Sequence, residues 1–247
     1  MKRVTVLSID FDFFQKVDED TLKHCYPDGV DVSTQVSKFT WAGYYTNLAT
    51  AKKLSAVTTD DDKMKQMKDI LSKCTNATDI KIANSHLHIY EFIHELMERH
   101  KSSYLDIINC DMHHDLTNHN IEVDCGNWLG RIAEEYDTRI RWVANPISKK
   151  MFGLDDERFS MIGTDLSIIN PNKVDAIFLC RSDNWTPPHL DKDFHALFEH
   201  IKDTFVVGQM GKYAVTAEQC VMEPRDMTED LRMAEEIEKL RKPNTNK

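Results

Sequence analysis

The sequence predicts an α/β fold in three layers, α/β/α, with a mostly parallel sheet in the middle. Four short apolar runs have the length and β-branched content of buried strands: Val4 to Ile9, Tyr104 to Cys110, Thr138 to Ala144 and Lys173 to Cys180. Helical segments lie between them, the alternation expected of parallel strands joined by crossovers. The unusual polar residues follow these runs directly: Asp10 and Asp12, Asp111 to Asp115, Asn145-Pro146, and Arg181 to Pro188. In a parallel sheet the carboxyl ends of the strands are where chemistry collects.

Taken in order, Val4 to Ile9 is β-branched, continuous and closed by the acidic pair Asp10 and Asp12. The stretch from Asp18 to Met64 mixes Phe39, Trp41, Tyr44 and Tyr45 with polar residues and predicts one or two helices. The acidic run Asp60-Asp61-Asp62 opens another, from Asp62 to Lys73. Ser85 is suited to cap a helix reaching about Lys101, whose Ile89, Tyr90, Phe92, Ile93, Leu96 and Met97 recur at helical spacing. On that helix His86 falls on the apolar face, whereas His88 falls with Glu91, Glu95 and Glu98 on the face that meets water. A charged amphipathic helix from Met227 to Lys242 and a polar tail, 243–247, close the chain and carry no expected catalytic role.

A chain of 247 residues can bury one sizeable core, so a single domain over 1–247 is expected. With 41% hydrophobic and 29% charged residues, the composition is that of an ordinary globular protein. The net charge of −10 disfavours nucleic acid and favours cationic ligands such as an arginine side chain. Six cysteines without a C-x-x-C pair argue against a zinc ribbon or a disulfide framework. Neither a signal peptide nor a membrane-spanning run is visible, and the expected location is the cytoplasm, with the chain alone or as an oligomer.

Three constellations carry chemistry. The first is Asp111-Met112-His113-His114-Asp115, directly after a predicted strand. Carboxylate oxygens with imidazole suit manganese or a similar divalent ion better than a structural zinc. The alternative is a polar turn whose acids cap the next helix. The second is Ser8-Ile9-Asp10-Phe11-Asp12. Alternate side chains of a strand share a face, so Asp10 and Asp12 would point at one site if the strand persists, and a cation between them would relieve their repulsion. A D-x-D after a first strand also occurs in phosphotransferases, although Phe13-Phe14 follows here. The third is Asn84-Ser85-His86-Leu87-His88. A histidine on an apolar face is by itself more often a core residue.

Together these elements resemble the arginase and agmatinase motifs. Ser8-Ile9-Asp10-Phe11-Asp12 is similar to S-x-D-x-D, Asp111 to Asp115 to D-A-H-x-D, and Ser85-His86 to the histidine of G-G-D-H. The order differs, since S-x-D-x-D comes late in arginases and opens this chain. The set I-D-x-D-F-F, S-H-x-H, D-x-H-x-D, C-G-N-W and S-D-x-W-T-P-P resembles an arginase-related family that includes the peptide arginases, which convert arginine to ornithine within ribosomally made peptides. The motifs span Ser8 to Pro188.

The resemblance implies an arginase/deacetylase-like fold and two manganese ions held by Asp10, Asp12, His86, Asp111, His113 and Asp115. It further implies hydrolysis of an arginine guanidino group to urea and ornithine, in a peptide or a small guanidino compound. Cys125-Gly126-Asn127-Trp128-Leu129-Gly130 is similar to the S-G-N-x-H-G loop that lines the arginase pocket, which makes Asn127 and Trp128 candidate substrate contacts. Leu129 replaces the proton-shuttling histidine there, so His88, His114 or water would take that role, with Asp115 moving the proton from water to the leaving amine. Asp183 would bind the guanidinium; an ion pair with Arg181 is the competing reading. A non-catalytic metal-containing peptide-binding protein and a related metal-dependent amidohydrolase are the alternatives for the whole chain.

Overall fold

The computed structural model describes residues 3–117, 121–153, 157–207 and 214–241. Strand β1 (Val4–Asp10) is buried at every position, because both of its faces are covered. A tight 3-10 turn, Phe11–Phe14, leads to β2 (Gln15–Lys16), then to α1 (Glu19–Cys25), α2 (Thr34–Thr46) and α3 (Leu48–Leu54). Next come β3 (Thr58–Thr59), paired antiparallel with β2, and α4 (Asp61–Leu71). The aromatic stretch thus forms three helices before α4, more than its mixed composition predicts.

The remainder alternates as expected: β4 (Asp79–Ala83), α5 (His88–His100), β5 (Tyr104–Asp111), α6 (Trp128–Glu135), β6 (Asp137–Ala144), α7 (Ser148–Phe152), β7 (Met161–Gly163), β8 (Ala176–Cys180), α8 (Asp191–Lys202), β9 (Ala214–Ala217) and α9 (Thr228–Arg241). Strand β8 starts later than its apolar run because Pro171–Lys173 makes a 3-10 turn. Strands β4, β7 and β9 are not legible as apolar runs. In β4 the charged Asp79 and Lys81 interrupt the pattern, and Asp79 is tolerated inside because Arg99 of α5 pairs with it. The expected end of the last helix at Lys242 and the tail 243–247 lie outside the described residues.

Seven strands form one parallel sheet in the order β7-β6-β5-β1-β8-β4-β9, with β1 at its centre. The side chains of β1 divide by parity. Val4 and Val6 join a core with Ile89, Ile93 and Leu96 of α5 and Trp128, Leu129 and Ile132 of α6. Leu7 and Ile9 join the opposite core, with Met67 and Leu71 of α4 and Phe194, Leu197 and Ile201 of α8. Helix, sheet and helix therefore form three layers. Register brings Asp10 level with Cys180, Ile9 with Cys110 and Ala83 with Cys180, so β1, β5, β8 and β4 end together at one rim. Among the described residues no helix is long and apolar enough to cross a membrane.

Candidate metal centre

The rim where β1, β4 and β5 end gathers four aspartates and two histidines. Strand geometry stops at Asp10, whose carboxylate accepts the Asp12 N–H at 3.1 Å and so caps the 3-10 turn. The two acids therefore do not share one face as an unbroken strand would place them. Asp12 swings aside, accepts the Met112 N–H at 3.0 Å and lies 2.9 Å from Nδ1 of His113. Asp111, the last residue of β5, accepts the His113 N–H at 2.6 Å and the Asn109 amide at 3.1 Å. Asp115 sits in the left-handed region, φ +53°, a conformation that aspartate tolerates better than most residues.

His86 arrives from the β4 end. The predicted Ser85 cap is displaced by a turn, in which Ser85 accepts the Leu87 N–H and α5 begins only at His88. His86 is buried, its ring stacked 5.7 Å from Phe178. Its Nδ1 lies 3.2 Å from Asp10 Oδ2, 3.2 Å from Asp111 Oδ2 and 3.1 Å from Asp115 Oδ2, yet forms a hydrogen bond with none of them. Its Nε2 is 2.7 Å from Ser8 Oγ. With Nε2 turned to Ser8, Nδ1 points at three carboxylate oxygens, whose mutual repulsion is relieved by a proton on Nδ1 or by a metal ion in its place. A histidine tied by its far nitrogen is the usual posture of a metal ligand.

Two groups follow, Asp10–His86–Asp111 and Asp12–Asp111–His113, each with ligand atoms within 4.8 Å of one another, and each could hold a metal ion. Asp111 belongs to both. Buried Asp12 Oδ2, His86 Nδ1 and His113 Nε2 have no hydrogen-bond partner, and donors of this hardness fit a divalent cation.

The protons these groups hold fit the same reading. Burial pushes Asp12 well up, with Asp10 and Asp111 adding to it, and burial with Asp111 pushes Asp115 up to about 7. Burial also opposes ionisation of Asp111, but the neighbouring His86 and His113 outweigh it and hold Asp111 at about 2. Burial disfavours both imidazolium ions, yet the surrounding carboxylates hold His113 up at about 10 and His86 well above its ordinary value. A divalent ion must displace these protons. Raised His113 stabilises the fold below its ordinary value, and that contribution is lost as pH rises through about 10; raised Asp115 likewise loses stability as pH rises from the ordinary aspartate value to about 7. The thermal shift given by manganese should therefore grow between about pH 6 and about pH 9, measured against a chelated sample at each pH. A shift that shrinks over that range would contradict the assignment.

The centre opens into a cavity of about 340 Å³, lined by Asp10, His86, His113, His114 and Asp115 among the expected residues. His114 accepts the Leu116 N–H on Nδ1 at 3.0 Å, which leaves Nε2 to carry the proton of the neutral ring. Four expected site residues lie elsewhere. His88 faces Glu218 at 3.4 Å, on the water side that its helical phase predicts. Asn127 spends its side chain on Asp124 N–H and Glu122 C=O, bracing the loop. Trp128 is fully buried and donates its indole N–H to Asp115 Oδ2 at 2.6 Å, so it holds a candidate ligand in place from behind. Asp183 is fully buried, paired with Arg181 at 2.5 Å and accepting Thr34 Oγ at 2.6 Å. That placement follows the ion-pair alternative. Leu129 is core. The cavity instead takes Trp185 and Cys125, which belong to the S-D-x-W-T-P-P and C-G-N-W motifs without an expected substrate role, and Phe152 and Asp124, which lie in no motif.

No family model, curated protein or solved structure matches this chain.

Proposed function

We propose that this chain is a manganese-dependent hydrolase that removes the guanidino group of an arginine residue as urea, leaving ornithine, and that its substrate is a peptide. The observation that carries the reading is the pair of Asp/His groups joined by Asp111, of which Asp10, His86 and His113 line a cavity. Two manganese ions, when bound, would supply a water acidified to hydroxide near neutral pH as the nucleophile for the guanidino carbon. Asp10, Asp12, His86, Asp111, His113 and Asp115 would hold them. Asp115, kept in position by the Trp128 indole, would take a proton on its carboxylate and return it during collapse. His114, protonated on Nε2 at the cavity wall, would serve the departing amine in place of the histidine that Leu129 replaces.

The peptide preference rests on the space beyond the cavity. Val30, Asp124 and Cys125 also line a second depression of about 670 Å³, bounded by Asp31, Ser85, Leu87 and Ile121. A free amino acid leaves that continuation unused, whereas the chain flanking a peptidyl arginine would occupy it.

The test is urea release from an arginine-containing peptide and from free arginine, with manganese supplied and then chelated. Manganese-dependent urea from the peptide alone supports the proposal. Urea from free arginine alone would move the substrate to a small guanidino compound. Metal bound without urea from either would favour the related amidohydrolase or a peptide-binding role.

A further inference from the structure

If the cavity takes a guanidinium, something must read its charge, and Asp183 is already engaged. Its backbone explains why. Ser182 adopts φ +56°, and the N–H groups of Trp185 and Thr186 close back onto Ser182 C=O at 2.9 and 2.8 Å. This turn sends Asp183 inward to Arg181 and Thr34 and leaves Trp185 at the cavity wall. Gln15 fixes the Trp185 carbonyl at 2.7 Å.

The Trp185 ring lies 4.4 Å from the His113 ring. Phe152, which is 38% exposed, lies 5.8 Å from His113 and 5.0 Å from His114. Two aromatic residues thus border the candidate ligands on the cavity side. Among the described residues, the internal cation–π pairs are Lys63 with Phe13, Arg181 with Phe194, and Lys202 with Phe198, so none occupies Trp185 or Phe152. Of the acids that line the cavity, Asp10 belongs to a candidate metal group, Asp115 faces His86 and accepts the Trp128 indole N–H, and Asp124 turns one oxygen to the Gly126 N–H.

We infer that Trp185, with Phe152, is the cation-recognition element of the cavity, stacking on the flat guanidinium and aligning it over the metal centre. This rests on the guanidino reading above. A delocalised planar cation gains from an aromatic face both dispersion and attraction to the ring quadrupole, and it is weakly enough hydrated to be stripped of water there. Trp185 is therefore a specificity-determining residue, and a neutral substrate of the same shape is discriminated against.

Fluorescence provides a direct test, because Trp41, Trp128 and Trp142 are buried and Trp185 alone of the four tryptophans lines the cavity. Nα-acetyl-arginine N-methylamide is mixed with the manganese-loaded chain and the amplitude is read before turnover. The citrulline counterpart, a neutral isostere, is run beside it. The arginine probe should quench saturably and bind about two- to thirty-fold more tightly than the citrulline probe. Calorimetry should show Trp185→Leu weakened by a similar factor for the arginine probe only, with Trp185→Phe keeping most of the affinity and both variants keeping their metal. Equal binding of the two probes overturns the inference without relying on any variant. Urea release with no quenching overturns it while leaving the proposed hydrolysis standing. Charge-selective quenching without urea supports the recognition element and counts against the hydrolysis.

Discussion

Asp111→Asn is expected to empty both halves of the metal centre at once, while His86→Ala or Asp12→Ala disturbs chiefly one. Asp111 is the residue common to the two groups, with Oδ2 3.2 Å from His86 and Oδ1 3.8 Å from His113. An amide offers one neutral oxygen where the carboxylate offers two that share a charge, so neither position keeps its full ligand set. Manganese per chain, counted by mass spectrometry, should fall to background. Any metal-dependent turnover should fall by on the order of 10³-fold or more, the scale of losing several kcal/mol of charge stabilisation. Stability gives a second readout that needs no substrate. A ligand at a hundred times its dissociation constant stabilises the native state by about 2.7 kcal/mol, which for a chain of this size raises the melting temperature by roughly 5–10 °C. Manganese should give the parent that shift and give Asp111→Asn none. A variant that still binds a full complement of metal would break the assignment.

The candidate ligands were legible in sequence because their chemistry is local: Asp10-Phe11-Asp12 and Asp111 to Asp115 each stand at the end of a strand whose apolar run is unmistakable. Their division into two groups was not. It depends on Asp10 capping a 3-10 turn, a choice between side-chain and strand hydrogen bonding that period-two alternation does not encode. His86 was placed by an apolar helical face, although it precedes the helix; what buries it is the end of β4, a strand disguised by its charges. Asn127 and Trp128 stand where the loop enters α6, in a pattern that suggests a pocket lining, yet their side chains turn inward to the loop itself and to Asp115. Spacing says which residues are near the site and not which way they face. The least legible feature was the fate of Asp183, because one of its partners, Arg225, lies 42 residues away in a segment with no motif.

That pairing leads to the second large effect. Asp183→Asn should destabilise the fold by about 3–5 kcal/mol, on the order of 10 °C in melting temperature, with metal binding retained in the molecules that fold. The side chains of Arg181, Asp183, Arg225 and Asp191 are all at most 1% exposed, two cations balanced by two anions. Arg225 is itself saturated, bonding Asp191 at 2.6 and 2.9 Å and the carbonyls of Asp183 and Thr186. Removing one anion leaves a buried positive charge that cannot move to water. Burial alone would raise the Asp183 pKa, but Arg225 and Arg181 outweigh it and lower it. The contribution is therefore present above the ordinary aspartate value and is lost as pH falls through the folded value. If Asp183 gripped substrate instead, the variant would melt like the parent and only its KM would rise. Removing charge from both sides, as in the pair Arg181→Met with Asp183→Asn, should recover part of the loss, because a buried ion pair is worth far less than the penalty for orphaning one member. Recovery in the double variant would place Asp183 in the scaffold that holds the Ser182 turn, and so make it a support for Trp185 at the cavity wall.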